Sequence, residues 1–152
     1  MKKTFSILLG TALAGIVSTP QAANIGSKAP KLQIEHWVKG KPVDLAKAGE
    51  KKIHILEFWA TWCGPCRDSI PHLTKLQEKY KGKGVTVIGI TDEPKATVER
   101  FVRRQKKQME YTVAIEKGDA MSQAYMRAFG QTGIPATFVA VSYTHLTLPT
   151  KA

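Results

Sequence analysis

The chain has 152 residues with 23 Lys and Arg against 12 Asp and Glu, a formal charge of +11, which is length enough for one domain with a real hydrophobic core and too little for two. A positive field of that size favours acidic partner proteins or an anionic membrane surface through long-range steering. Nucleic acid is excluded as a partner, because the densest basic run (Arg100, Arg103, Arg104, Lys106, Lys107) has no base-stacking aromatics interleaved on its face.

In chain order, Lys2 and Lys3 precede an uncharged, largely apolar run from Phe5 to Val17 and the stretch Ser18-Thr19-Pro20-Gln21-Ala22-Ala23. That is the layout of a secretory signal peptide, so residues 1–23 are set apart from the fold and export is expected, with cleavage before Asn24. Gln21 is the one residue out of keeping with a small-residue cut site. Left uncleaved, the run is short against the roughly 20 residues of a spanning helix, yet it would serve as a tether. No cysteine lies near the cut, which excludes a lipid anchor there.

Residues 24–140 then read as one domain. Leu32, Ile34 and Trp37, around Lys31 to Val38, indicate a short strand or hairpin in the lead-in. Ile53 to Ala60 is an almost continuous run of β-formers with Glu57 as its one carboxylate, the pattern of a buried central strand. From Cys63 to about Tyr80 the period becomes helical, with Ile70, Leu73, Leu76 and Tyr80 on one side, lysines at the end and Gly82 as the stop. Val85 to Ile90 is a second buried strand, and Asp92-Glu93-Pro94 opens a second helix with Val98, Phe101 and Val102 inward and the basic run on a solvated face. A weaker strand, Tyr111 to Ile115, is followed by a helix opened by Asp119 and closed by Gly130, and Ala136 to Val141 is a last apolar strand. Strands alternating with helices predict an α/β domain with right-handed crossovers and a largely parallel, buried sheet.

The only two cysteines stand in Trp62-Cys63-Gly64-Pro65-Cys66. As a structural bridge the pair is inefficient, since so small a ring is worth about 2 kcal/mol in the loop-closure model. Structural zinc wants four ligands with sulfur predominating, and the chain offers two thiols plus the scattered His36, His54, His72 and His145. Reversible dithiol/disulfide exchange is the reading that the spacing favours. The placement agrees with it: where a strand turns into a helix, unpaired backbone N–H groups and the helix dipole stabilise a thiolate at Cys63 by roughly 0.3 to 2 kcal/mol. Cys66, one turn further in, can hydrogen-bond to it and later attack a mixed disulfide. Glu57, a carboxylate in an apolar strand, is either a base of raised pKa or an ion neutralised by a lysine neighbour.

Phe58-Trp59-Ala60-Thr61-Trp62-Cys63-Gly64-Pro65-Cys66, Pro71 five residues after the second cysteine and Gly133-Ile134-Pro135 downstream resemble the thioredoxin superfamily. With the export signal, the lead-in and Val87-Ile88-Gly89-Ile90, the chain is most similar to its periplasmic TlpA/ResA-like branch of thiol-disulfide oxidoreductases, over roughly residues 25–140. The resemblance implies a thioredoxin-like fold, a central mixed, mainly parallel sheet flanked by helices with an N-terminal hairpin extension. It makes Cys63 the exposed attacking thiol, Cys66 the buried resolving one, and Glu57, six residues before Cys63, the base for Cys66. Pro135 matches a cis-proline that faces the disulfide and frees the backbone of Ile134 to pair with substrate; an ordinary turn proline is the alternative. Pro71 matches the proline that kinks the active-site helix. Trp62, unless it is core filler, shields the disulfide and joins Gly64 and Pro65 in a docking surface.

Gly64-Pro65 resembles the reducing thioredoxins more than strongly oxidising relatives, which carry a histidine between the cysteines. The implied protein is a periplasmic, monomeric reductant of protein disulfides, with no cofactor or metal and with electrons supplied by a membrane-embedded reductase, in cytochrome c maturation or disulfide repair. A peroxidase is disfavoured because Thr61 lies two residues before Cys63, not three. The alternative of another class is a non-enzymatic metal-binding protein or metallochaperone using the same pair.

Members of this family follow the strand after the cis-proline with a turn, a pairing strand and a final helix. Here residues 141–152 instead resemble a translated sequencing adapter, so native sequence is expected to end near Ala140 and His145 to carry no function. The final strand and helix would be missing. Ala136 to Ala140 would then be an unpaired, aggregation-prone edge.

Overall fold

The apolar run that begins at Ile53 forms β2 (Ile53–Phe58) near the middle of the sheet, where Leu56 and Phe58 lose almost all contact with solvent. The computed structural model of the chain describes residues 26–46 and 52–141, and the backbone of 145–150. The signal-peptide segment lies outside the described residues.

Around β2 the elements follow as β1 (Ile34–Lys39), α1 (Gly64–Tyr80), β3 (Val85–Thr91), α2 (Lys95–Gln105), β4 (Thr112–Glu116), β5 (Ala136–Val141) and β6 (His145–Thr150). The strands form one sheet in the order β1-β4-β3-β2-β5-β6. α1 connects β2 to β3 and α2 connects β3 to β4, and both connections join parallel neighbours, with Ile53 opposite Val85 and Ile88 opposite Thr112.

The alternation of β2 assigns two cores. Trp59 faces α1 and α2, packing with Ile70, Val98, Phe101 and Val113; Leu56 and Phe58 face the other way, against Tyr125, Phe138 and the lead-in residues Leu32 and Trp37. Each fully buried Leu or Ile here contributes on the order of 1.5–3 kcal/mol of transfer free energy. Gly89 in the middle of β3 makes one close approach necessary: a Cβ there would meet the Trp59 indole Nε1 at 3.0 Å and the Tyr111 ring at 3.1 Å. The two rings close over a backbone that only glycine leaves bare.

Three expectations need correction. The sheet is mixed, but its parallel part is confined to β2, β3 and β4; β1, β5 and β6 each join antiparallel. Helical crossovers enforce parallel pairing only between the neighbouring strands they join; the lead-in is no such crossover, and the helical segment after β4 leads to a strand, β5, that is not β4's neighbour. Among the described residues the lead-in forms no hairpin: its strand β1 crosses to the far edge and pairs with β4. Nor is β5 left bare, since His145–Thr150 pairs with it as β6, with a register irregularity between Thr137 and Val139. A segment that alternates Leu with Thr has the period and propensity to fill an open edge whatever its origin.

The segment after β4 also differs from a plain helix. Residues 122–127 are π-helical, and the amides of Ala128 and Gln131 reach back five residues to the carbonyls of Gln123 and Met126. Its first amides are held by Glu116, a 2% exposed carboxylate at the end of β4 that accepts from Met121 N–H at 2.8 Å, Ser122 N–H at 2.9 Å and the Ser122 hydroxyl at 2.6 Å.

Candidate active site

Beyond β2 the chain hydrogen-bonds once more to β3, Trp59 N–H donating to Ile90 O at 3.0 Å, and then turns, with Cys63 N–H donating to Ala60 O at 3.1 Å. Cys63 is extended (φ −76°, ψ 108°) and stands at the N-cap of α1, its Sγ accepting from Cys66 N–H at 3.2 Å. Sulfur thus occupies the place that a Ser or Asp oxygen takes at an ordinary cap. Pro65 sits in the first turn, where its missing N–H leaves no bond unmade. Pro71 lies inside α1, which continues through it to Tyr80.

The two sulfurs form a disulfide, with an S–S distance of 2.04 Å and Cα atoms 5.3 Å apart. Cys66 is 1% exposed, the buried position expected of a resolving residue; Cys63 is 5% exposed, so in the oxidised form it is not the open sulfur that the motif implied. Bonding to Cys66 draws its Sγ against the helix mouth, and the carbonyl of Ile134 lies 3.8 Å away on the other side. Trp62 by contrast is 72% exposed, which rules out a core role. Pro65 is exposed beside it and Gly64 half-buried.

The Ile134–Pro135 peptide bond is cis. Ile134 packs against both cores. Next to it a cleft lined by Trp62, Met126, Arg127, Gln131, Gly133 and Ile134 opens beside the disulfide. The sequence motifs 70 residues apart are joined because β5 lies antiparallel against β2, which sets Ala136 opposite Phe58.

Glu57 is 2% exposed. Its carboxylate accepts hydrogen bonds from the Thr137 hydroxyl, directly across the β2–β5 pair, and from the Ser69 hydroxyl at 3.5 Å. Ser69 also donates to the carbonyl of Cys66 at 2.8 Å, so one hydroxyl touches both the acid and the backbone of the second cysteine. Among the described residues no lysine or arginine forms an ion pair with Glu57. Burial pushes its carboxyl above the ordinary range, opposed by the two hydroxyl bonds.

This shift has a sign that unfolding can read. A carboxyl whose folded pKa is raised favours the native state while it is neutral, below the ordinary carboxylate range, and that contribution is lost as pH rises through the folded value. Glu57→Gln is therefore expected to raise the urea midpoint at pH 8, with the gain shrinking toward pH 4. An equal difference at both pH values would contradict a titrating buried acid.

Four contacts had no signal in the spacing rules. Ser69 and Thr137 are ordinary polar residues until the fold sets them on Glu57. Glu116 lies just past the strand read in the sequence, Tyr111 to Ile115. Glu93, taken for part of a helix start, turns its side chain away from α2, which has no side-chain cap, and binds Thr61 instead.

Residues 25–145 match the AhpC/TSA family. A thiol-disulfide oxidoreductase ResA of Bacillus cereus is 32% identical over 130 residues, 85% of this chain and 70% of that protein. The ResA of Halalkalibacterium halodurans is 33% identical over 122 residues, 79% of this chain and 67% of that one. Among solved structures, a thioredoxin-family thiol:disulfide interchange protein from Chlorobium tepidum superposes with a TM-score of 0.70 at 28% identity, covering 86% of this chain and 89% of that one.

Proposed function

We propose that this chain, which belongs to the AhpC/TSA family and is a thiol-disulfide oxidoreductase of thioredoxin-like fold, works outside the cytoplasm as a reductant of protein disulfides. The observation that carries the reading is the N-cap position of Cys63: the Cys66 N–H that meets its Sγ in the disulfide is placed to hydrogen-bond a thiolate there once the bond is reduced.

In the forward direction the Cys63 thiolate attacks a substrate disulfide, forming a mixed disulfide and expelling one substrate thiolate. Cys66 gives its proton to Glu57 and attacks the Cys63 sulfur, which re-forms the internal disulfide and releases the second substrate thiolate. Two electrons pass to the substrate, and a dithiol donor must restore them. Trp62, Gly64, Pro65 and the cis turn at Ile134–Pro135 form the surface that receives an extended substrate segment. The signal-peptide layout of residues 1–23 supports export to the periplasm, a membrane-embedded reductase is the fitting donor, and cytochrome c maturation or disulfide repair is the setting. Gly64-Pro65 supports the reducing direction.

Equilibration with glutathione buffers, read by alkylation, tests this. The expected potential lies nearer the roughly −270 mV of a reducing thioredoxin than the about −120 mV of a strong oxidant, and Cys63 should alkylate first. A pair that stays closed in every buffer, or reduced protein that holds metal in fixed proportion and leaves insulin disulfides intact, would overturn it.

A further inference from the structure

We propose that Glu93 is a positioning residue for the Thr61–Trp62 turn, and that it sets how well Cys63 engages protein substrates as distinct from small thiols. The inference rests on Cys63 being the attacking sulfur.

Glu93 lies between β3 and α2, on a different loop from the cysteines. Both of its carboxylate oxygens engage Thr61: Oε2 accepts from Thr61 N–H at 2.6 Å and Oε1 from the Thr61 hydroxyl at 2.7 Å, while Oε2 also accepts a longer bond from the Thr91 hydroxyl at 3.5 Å. The Glu93 N–H in turn donates to the Thr91 hydroxyl at 3.3 Å, which ties the loop to the end of β3. Short hydrogen bonds to an ionised acceptor are about twice as strong as neutral ones. An acid placed just before a helix ordinarily serves that helix; this one is committed to the redox turn.

Trp62 is the reason the tether matters. At 72% exposure it has little packing to hold it, so its direction is inherited from the backbone of Thr61 and from the Cys63–Ala60 hydrogen bond. A protein substrate must meet Trp62, Cys63 and the Ile134 backbone at once, and a surface that is already ordered avoids the ordering cost on binding. A small dithiol needs only the sulfur.

The test uses the whole chain and two reactions: reduction of insulin by pre-reduced protein, and reduction of the oxidised protein by dithiothreitol. Glu93→Ala is expected to slow the insulin reaction about tenfold, the scale of a slight misplacement of reacting groups, and the dithiothreitol reaction no more than about twofold. Glu93→Gln keeps one acceptor for Thr61 N–H and one donor for the hydroxyl without the charge, and should restore insulin reduction to within about threefold. Glu93→Asp keeps the charge with a shorter reach and should resemble Glu93→Ala. Equal slowing of both reactions, or full activity in Glu93→Asp together with loss in Glu93→Gln, would overturn the proposal in favour of a charge acting on the sulfurs. Wild-type protein inert to dithiothreitol would instead remove the exchange reading on which it rests.

Discussion

Cys63→Ser is expected to lower insulin reduction by at least about 10³-fold, because a hydroxyl is not ionised at neutral pH and cannot replace the nucleophile. Cys66→Ser should behave differently. Cys63 can still attack, but nothing inside the protein resolves the mixed disulfide, so the variant is expected to accumulate covalent complexes with substrate that vanish on adding dithiothreitol. The asymmetry follows from placement. Sγ of Cys63 occupies the cap of α1, whereas Cys66 is 1% exposed with its amide spent on the partner sulfur. Non-reducing gels of the two variants mixed with an oxidised protein substrate read the difference directly. Trapping by Cys66→Ser and none by Cys63→Ser is the expected pattern, and the reverse would exchange the roles of the two residues.

Phe138→Ala is expected to reduce unfolding free energy by about 3–5 kcal/mol, the usual range for deleting a buried aromatic ring. Phe138 is fully buried on β5 and its ring lies 5.6 Å from Phe58, 5.5 Å from Tyr125 and 5.6 Å from Phe129, centroid to centroid. It therefore joins the central strand to the π-helical segment in one cluster. Single domains retain only about 5–15 kcal/mol in all, so the loss is a large share of the total and should lower Tm by roughly 10–20 °C. Phe138→Leu refills most of the volume and should lose less than about 1.5 kcal/mol. Urea titrations of the two variants check both figures. A loss below about 1 kcal/mol for the alanine would mean that β5 is not packed on Tyr125.

The positions that were legible in sequence are those governed by local rules. Cys63 and Cys66 are recognisable from spacing, α1 from its period and Gly82, β2 from an unbroken apolar run, and Pro135 from the motif that resemblance supplied. Glu57 stood out because a lone carboxylate in a buried strand demands an explanation. What it touches did not: Ser69 comes from α1 and Thr137 from β5, and their meeting at one carboxylate depends on the register that puts Thr137 opposite Glu57. The same holds for Glu93, whose short-range context reads as a helix start while its partner is 32 residues away.

The expectation of a bare β5 failed for a related reason. Pairing of an edge is decided by backbone hydrogen bonds, which almost any alternating segment can satisfy, so similarity to an adapter says nothing about whether residues 145–150 form a strand. Likewise the apolar pattern of Ile34 to Val38 marks a strand but not its neighbour, and β1 turned out to flank β4 at one edge of the sheet, with β4 and β3 between it and β2.

By itself the sequence determined the chemistry of this protein, since two thiols one helical turn apart at a strand-to-helix junction are a local arrangement set by covalent spacing and helix geometry. Tertiary structure alone decided the surroundings of those sulfurs: the burial of Cys63, the outward Trp62, the hydroxyls on Glu57 and the carboxylate on Thr61. Those contacts join residues far apart in the chain, and no local propensity encodes a distance that only the packed sheet and its loops bring about.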